Sequence, residues 1–209
     1  MQQCRGTPRD VAAADGVAVE LTEWPIAITA HCRFEVHPDD PPELRQAQER
    51  TLQQVAAVCR RQARELLVEI VTGGPGAGGG DPVTRTLARI YALDVRPDWW
   101  LLQGQPDTAS WESSERVIAA NDSYCRGILL GLASAAHPAA ALELAAPIHL
   151  VRGFVAGGSI VGDSAAAWLA GQLSDEAARA RLAERFRAHA DAWSAARDSR
   201  NDQPQRSAT

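Results

Sequence analysis

The sequence predicts an α/β fold in which about five strand–helix units form a parallel sheet, as part of a TIM-like (β/α) barrel. Short apolar runs typical of buried parallel strands alternate with segments of helical periodicity, and this alternation repeats about five times. Five units are too few for a closed eight-stranded barrel, which takes roughly 250 residues. Two arrangements fit the pattern: an open doubly wound sheet, or the C-terminal five-eighths of a barrel whose first units are absent from this chain.

Local signals place each element in order. The first strand is expected within Ile26–Val36, and Pro41-Pro42 opens a helix that runs to about Arg64. A glycine-rich loop, Gly73–Gly80, follows the second strand, and Asp81 can cap the next helix, with Pro82 at its first position. The remaining strands are expected at 66–71, 98–102, 126–131 and 148–155, and the remaining helices at 107–120, 137–146, 163–170 and 174–195.

The composition shifts at both ends of this alternating region. Residues 1–24 are polar and rich in alanine and glycine, which predicts a loosely ordered segment. Residues 25–195 form the expected domain. Residues 196–209 have almost no apolar content, which predicts a disordered tail.

Charge and apolar content limit the possible functions. The net charge is -5, so no basic excess exists to neutralise the phosphates of a nucleic acid. No run of 18 apolar residues predicts a membrane span, and no apolar signal core follows Met1, so we expect a cytoplasmic protein. Four scattered cysteines without CxxC spacing are typical of reduced thiols.

The chain contains no lysine, since all 21 basic residues are arginine. Lysine forms Schiff bases with sugar carbonyls because its amine can lose a proton in a dry pocket. Arginine stays charged and cannot replace it. The chain therefore has no side chain that can form a Schiff base with a sugar carbonyl.

Strand alternation predicts a cluster of charges inside the barrel. If Cys32, Phe34 and Val36 face the helices, the inward positions of the first strand are His31, Arg33, Glu35 and His37. Active sites of this fold lie at the carboxyl ends of the strands. The expected cluster consists of Glu35, His37, Asp39, Glu69 and Arg152.

Two interpretations of that cluster stay open. In the first, Arg152 holds a carboxylate or phosphate, and Glu69 or His37 moves protons. In the second, Arg33, Glu35, Glu69 and Arg152 form a salt-bridge network that satisfies only itself. We expect no metal, because His31 and His37 would lie about 20 Å apart on an extended strand, and no other cofactor.

Two smaller features also carry alternatives. Gly157-Gly158-Ser159 can donate backbone N–H groups to a phosphate, or can be a plain strand-to-helix turn. Cys125 precedes Arg126, which could lower the pKa of the thiol; a packed, unreactive thiol is the alternative.

Several runs occur in one order along the chain. They are Val36-His-Pro-Asp-Asp-Pro-Pro-Glu-Leu-Arg45, Glu65-Leu-Leu-Val-Glu-Ile70, Tyr91-Ala-Leu-Asp-Val-Arg-Pro-Asp-Trp-Trp100, Tyr124-Cys-Arg-Gly127 and Arg152-Gly-Phe-Val-Ala-Gly-Gly-Ser-Ile160. Together they resemble the aldolase-like domain at the C-terminus of bacterial 5-dehydro-2-deoxygluconokinase, an enzyme of myo-inositol catabolism. The likeness covers roughly residues 26–195 and implies a TIM barrel related to class I tagatose-bisphosphate aldolases.

The chain departs from that family at positions that matter for catalysis. Leu101 stands where the family usually has lysine, and His31 stands where the preceding strand usually carries another. The family's Gly-Arg-Thr is Gly157-Gly158-Ser159 here. A route through a carbinolamine has no nucleophile left, and no nucleotide-binding motif supports kinase activity.

Three functions remain. In the first, the chain binds a sugar phosphate or keto-sugar acid without Schiff-base chemistry. In the second, it is a non-catalytic interaction module that docks on a sugar kinase or on another barrel chain, or that self-associates. In the third, it is a lysine-independent carbon–carbon lyase that uses Glu69 and His37.

Overall fold

A computed structural model of the chain describes residues 2–4, 21, 24–73, 81–133, 135 and 137–201. The strands are β1 Gln2–Cys4, β2 Ala30–Glu35, β3 Leu66–Val71, β4 Trp99–Gln103, β5 Gly127–Gly131 and β6 Val151–Val155. The helices are α1 Pro42–Arg61, α2 Pro82–Ala92, α3 Thr108–Asn121, α4 Pro138–Ala145, α5 Gly158–Leu169 and α6 Asp175–Asn201.

The strands follow one another in the sheet in chain order, from β1 to β6. The pairs β1–β2, β2–β3 and β3–β4 are all parallel. A doubly wound sheet reverses its strand order at a switch point, whereas a barrel does not. The predicted α/β fold, with five strand–helix units in barrel order, is therefore confirmed.

Contacts divide the chain into two compact units. The first unit comprises Met1–Leu102 and Glu112–Ile128, and the second comprises Gln103–Trp111 and Leu129–Thr209. The candidate residues before position 102 lie in the first unit, and Arg152 and the glycines that follow it lie in the second.

The predicted helix starts are found where capping chemistry placed them. Helix α1 begins at Pro42. The Asp81 carboxylate accepts hydrogen bonds from the backbone N–H groups of Val83 and Thr84, at 3.3 and 2.9 Å. These bonds satisfy two of the free donors at the start of α2. Helix α2 is thereby fixed at the end that approaches the β2–α1 loop.

The Pro-Asp-Trp-Trp run has a structural role at the start of β4. The Asp98 side chain accepts a hydrogen bond from Leu66 N at 2.8 Å, and its backbone carbonyl accepts one from Arg126 N at 2.8 Å. Trp100 is fully buried and donates its indole N–H to the Tyr91 hydroxyl at 2.9 Å. This motif joins three strands at their amino ends and anchors α2 on the sheet.

The two ends of the chain show elements beyond the predicted ones. Strand β1 lies within the first 24 residues and pairs with β2, although residues 5–20 are outside the described part of the chain. Helix α6 runs past residue 195 to Asn201, and within this extension Arg197 donates to the Val151 carbonyl at 2.9 Å and lies over the Trp193 ring. Within the ranges that the structure describes, no helix is both long and apolar enough to cross a membrane.

Candidate functional site

Four polar side chains on β2 and β3 form one connected group, here called the β2–β3 cluster: His31, Arg33, Glu35 and Glu69. His31 Nε2 lies 2.9 Å from one carboxylate oxygen of Glu69, and Arg33 Nε lies 3.4 Å from the other. Arg33 also pairs with Glu35 through Nη1. The structure thus brings together polar residues that alternation places on one face of these two strands.

The cluster has a buried end and an open end. The side chains of His31 and Glu69 are 11% and 17% exposed, while those of Arg33 and Glu35 are 39% and 44% exposed. Both oxygens of Glu69 are held by nitrogen partners, which matches the cost of burying an unpaired carboxylate. An incoming polar ligand would therefore meet Arg33 and Glu35 first.

Leu101 lies in register with this cluster. The sheet aligns Arg33, Glu69 and Leu101 on three adjacent strands. Leu101 is buried, so an apolar side chain lies beside Glu69 where the family resemblance had implied lysine. His31, at the other position that resemblance associates with lysine, contacts the same carboxylate.

His37 and Asp39 do not join the β2–β3 cluster as the sequence had predicted. Asp39 turns toward α2 and pairs with Arg85 at 2.6 Å, and this hydrogen bond raises the pKa of the Arg85 guanidinium. His37 Nδ1 accepts the Asp39 N–H at 3.2 Å, and the ring lines a cavity toward the helices. The alternation rule fails here because β2 ends at Glu35 and a turn begins, in which Asp40 accepts the His37 N–H at 2.8 Å.

The cavity that His37 lines lies between the end of β2 and helices α1 and α2; we call it the helix-side cavity. Its lining comprises Phe34, Val36, His37, Pro38, Arg45, Gln48, Glu49, Leu52, Thr86, Arg89 and Ile90. Arg45, Gln48 and Thr86 were missed from the sequence. A signal for Gln48 was available, since this amide occupies a position four residues from Leu44 and from Leu52, inside the apolar stripe of α1.

Within the part of the chain that the structure describes, the candidate residues of the second unit form no ion pair that resembles the β2–β3 cluster. Arg152 is exposed on β6, and Phe154, on the same face, packs against Phe186, His189 and Trp193 of α6. Gly157 precedes α5 without a side-chain cap, and a Cβ atom added at Gly157 or Gly158 would meet nothing within 4 Å. The side chain of Ser159 is outside the described part. Phosphate binding at this turn stays a prediction.

Cys125 is a packed thiol. Burial raises its pKa to about 11, and the nearby carboxylates of Asp122 and Asp98 act in the same direction. The suggestion that Arg126 lowers this pKa is therefore wrong, because Arg126 instead pairs with Glu65 at 2.5 Å. Among the residues described, no three His, Cys, Asp or Glu side chains come close enough together to hold a metal ion.

Comparison with known families adds one finding. A family model described as an uncharacterized protein conserved in bacteria (DUF2090) matches residues 4–197. The chain belongs to this family. The DUF2090 match includes the β2–β3 cluster, the helix-side cavity and the turn before α5, so all three are parts of the shared domain. A search of curated proteins found no match.

Proposed function

We propose that this chain is an aldolase-like domain of carbohydrate catabolism that binds an anionic sugar, a sugar phosphate or a keto-sugar acid, without forming a Schiff base. The observation that carries the proposal is the β2–β3 cluster beside Leu101. The surroundings suit a polar, charged ligand, and the amine that would bond covalently to its carbonyl is replaced by an apolar side chain.

Arg33 is the side chain suited to the anionic group of such a ligand. Its guanidinium uses Nε and Nη1 for Glu69 and Glu35, and Nη2 takes part in neither of these pairs. A planar guanidinium binds carboxylate or phosphate oxygens through parallel N–H donors. Glu35, with its carboxylate partly open to solvent, can accept hydrogen bonds from sugar hydroxyl groups.

The lyase alternative needs a different residue pair from the one first expected. Glu69 pairs with His31, and His37 lines the helix-side cavity. A lysine-independent lyase would therefore move protons through His31 and Glu69, which lie 2.9 Å apart. Carbon–carbon cleavage of the bound sugar, followed by chromatography of the products, would favour this alternative over binding alone.

Titration calorimetry with a six-carbon keto-sugar acid and with a sugar phosphate tests the binding proposal. We expect one of them to bind, and Arg33→Met to weaken that binding about tenfold or more, since a charged hydrogen bond is lost. Arg185→Met is a matched control, because Arg185 has similar exposure and an Asp163 partner but lies on α6. Failure of both ligands to bind the wild-type protein would refute the proposal.

Borohydride trapping tests the absence of Schiff-base chemistry. With no lysine in the chain, the α-amino group is the only primary amine on which a keto-sugar can be trapped. We expect mass spectrometry to find no adduct at any internal residue. An internal adduct would contradict the non-covalent mechanism even if binding were confirmed.

Self-association is a second candidate function, favoured by apolar side chains on the second unit. Val161, Trp168, Leu169 and Phe186 are large, apolar and exposed on α5 and α6. Large apolar side chains exposed on two helices of one unit are candidates for an interface. Light scattering should show a dimer that Leu169→Glu dissociates; a monomer at all concentrations would remove this candidate.

A further inference from the structure

The helix-side cavity contains an unusual concentration of buried polar atoms without a protein partner. Four such atoms belong to its lining: His37 Nε2, Arg45 Nε, Gln48 Oε1 and Thr86 Oγ1. Thr86 is 3% exposed and Gln48 is 9% exposed, so bulk water does not reach them freely. The other walls include Phe34, Leu52 and Ile90, which offer no hydrogen bonds.

Neighbouring hydrogen bonds fix which of these atoms donate. His37 Nδ1 accepts the Asp39 N–H, so the ring proton of a neutral imidazole is on Nε2, which must donate. Gln48 Nε2 donates to the Glu35 carbonyl at 2.7 Å, so Oε1 is the remaining acceptor. Arg45 Nε–H can only donate, and the Thr86 hydroxyl can accept.

With the Thr86 hydroxyl accepting, the four atoms are two donors and two acceptors, which is the complement of one water molecule. A water accepts two hydrogen bonds through its oxygen and donates two. The cavity has a volume of about 20 Å³, enough for one water and too small for a sugar or an organic acid. Buried polar atoms without any partner are rare because each loses its hydration without compensation.

We propose that the helix-side cavity is a binding site for one ordered water molecule, held by His37, Arg45, Gln48 and Thr86. An inorganic anion fits less well, because Gln48 Oε1 would face its negative charge. The water joins the β2–α1 loop to both helices that flank it. It acts together with the direct bond from Arg45 to the Pro38 carbonyl at 2.6 Å, so it is a positioning element for the loop that carries His37 and Asp39.

Replacing Thr86 by valine gives opposite results for a dry cavity and for one that holds water. In a dry cavity the substitution removes an unpaired buried hydroxyl and raises the melting temperature. In the proposed site it removes a partner of the water, and we expect the melting temperature to fall by about 2–4 °C. Thr51→Val is the matched control, because Thr51 is also helical but bonds within its own helix to the Ala47 carbonyl at 3.1 Å. A melting temperature of Thr86→Val equal to or above that of the control overturns the proposal.

A direct measurement covers the case in which the variant does not fold. A crystal structure of the wild-type protein at about 1.5 Å, grown with bromide, should show one water peak within hydrogen-bond distance of at least three of the four atoms. Anomalous density for bromide at this point would overturn the assignment of water. An empty cavity, with no electron density between these four atoms, would overturn the proposed binding site.

Discussion

Polar groups on the two sides of strand β2 find their hydrogen-bond partners in different ways. On one face, His31, Arg33 and Glu69 satisfy one another through direct contacts, and the open end of the cluster meets solvent. On the other, beyond Phe34 and Val36, buried polar atoms face a small cavity and find no partner in the protein. Direct pairing stabilises the first face, and a bound small molecule is needed to complete the second.

This difference indicates how well each side of β2 should tolerate substitutions. Glu69 is the carboxylate that both His31 and Arg33 contact, so its loss leaves the buried His31 ring without this partner, while Arg33 is partly exposed and keeps its pair with Glu35. A cavity with a replaceable partner tolerates change more easily. Four experiments follow in order of decreasing expected effect, and three of them test that contrast.

Removal of the Glu69 carboxylate should have the largest effect. Glu69→Ala leaves both His31 and Arg33 without their shared partner, and we expect a loss of about 2–4 kcal/mol in the free energy of unfolding. Urea denaturation measures this loss. Asp163→Ala, which removes an exposed partner of Arg185, serves as the control and should change stability by less than about 0.5 kcal/mol. Equal effects for the two variants would show that the cluster contributes no more than a surface ion pair.

Cys125 lies outside both the cluster and the cavity, and it tests the effect of burial on the reactivity of a thiol. Its pKa of about 11 lowers the thiolate fraction at pH 8 about a hundredfold relative to an unfolded thiol, so alkylation by iodoacetamide should be slower by about that factor. Because the folded pKa is raised, the thiol contributes stability below the pKa of the unfolded thiol. That contribution is lost as the pH rises through about 11. Peptide mass spectrometry reports the rate, and labelling as fast as in urea would contradict the burial.

The N-terminal cap of α2 supports the wall of the cavity. Asp81→Ala removes the acceptor for Val83 N and Thr84 N and should cost about 1 kcal/mol. Hydrogen exchange should speed up in the first turn of α2, near Arg85 and Thr86. Asp81→Asn, which keeps a capping oxygen, should recover most of the stability; no recovery would show that the charge, and not the cap, matters.

The smallest effect is expected at the open end of the cluster. Glu35→Gln weakens the Arg33 pair in a solvent-exposed position, so stability should change by less than about 0.5 kcal/mol, and less still in high salt. The contrast with Glu69→Ala is informative because Arg33 contacts both carboxylates. A large loss of unfolding free energy for Glu35→Gln would show that the exposed pair contributes as much to stability as the buried one.

The sequence was sufficient for features that depend on local rules. Asp81 and Pro42 marked helix starts through capping chemistry and proline geometry. Period-two alternation placed Phe34 and Val36 opposite the group that contains Arg33 and Glu35.

Features that depend on distant partners were beyond those rules. Asp39 pairs with Arg85 across 46 positions of the chain, and only the packed loop brings them together. His37 follows the end of its strand, where alternation no longer applies. Thr86 is an ordinary helical residue until α1 and the end of β2 enclose it.

Asp98, just before β4, helps to set how β3 aligns with its neighbouring strands. It holds the first amide of β3 through its side chain and the entry to β5 through its carbonyl. A slip of β3 by a single residue would turn Glu69 toward the helix layer and Ile70 toward the charged face. The aspartate of the Pro-Asp-Trp-Trp run therefore helps to fix the register of β3, and this register decides which side chains face the charged cluster and which face the helices.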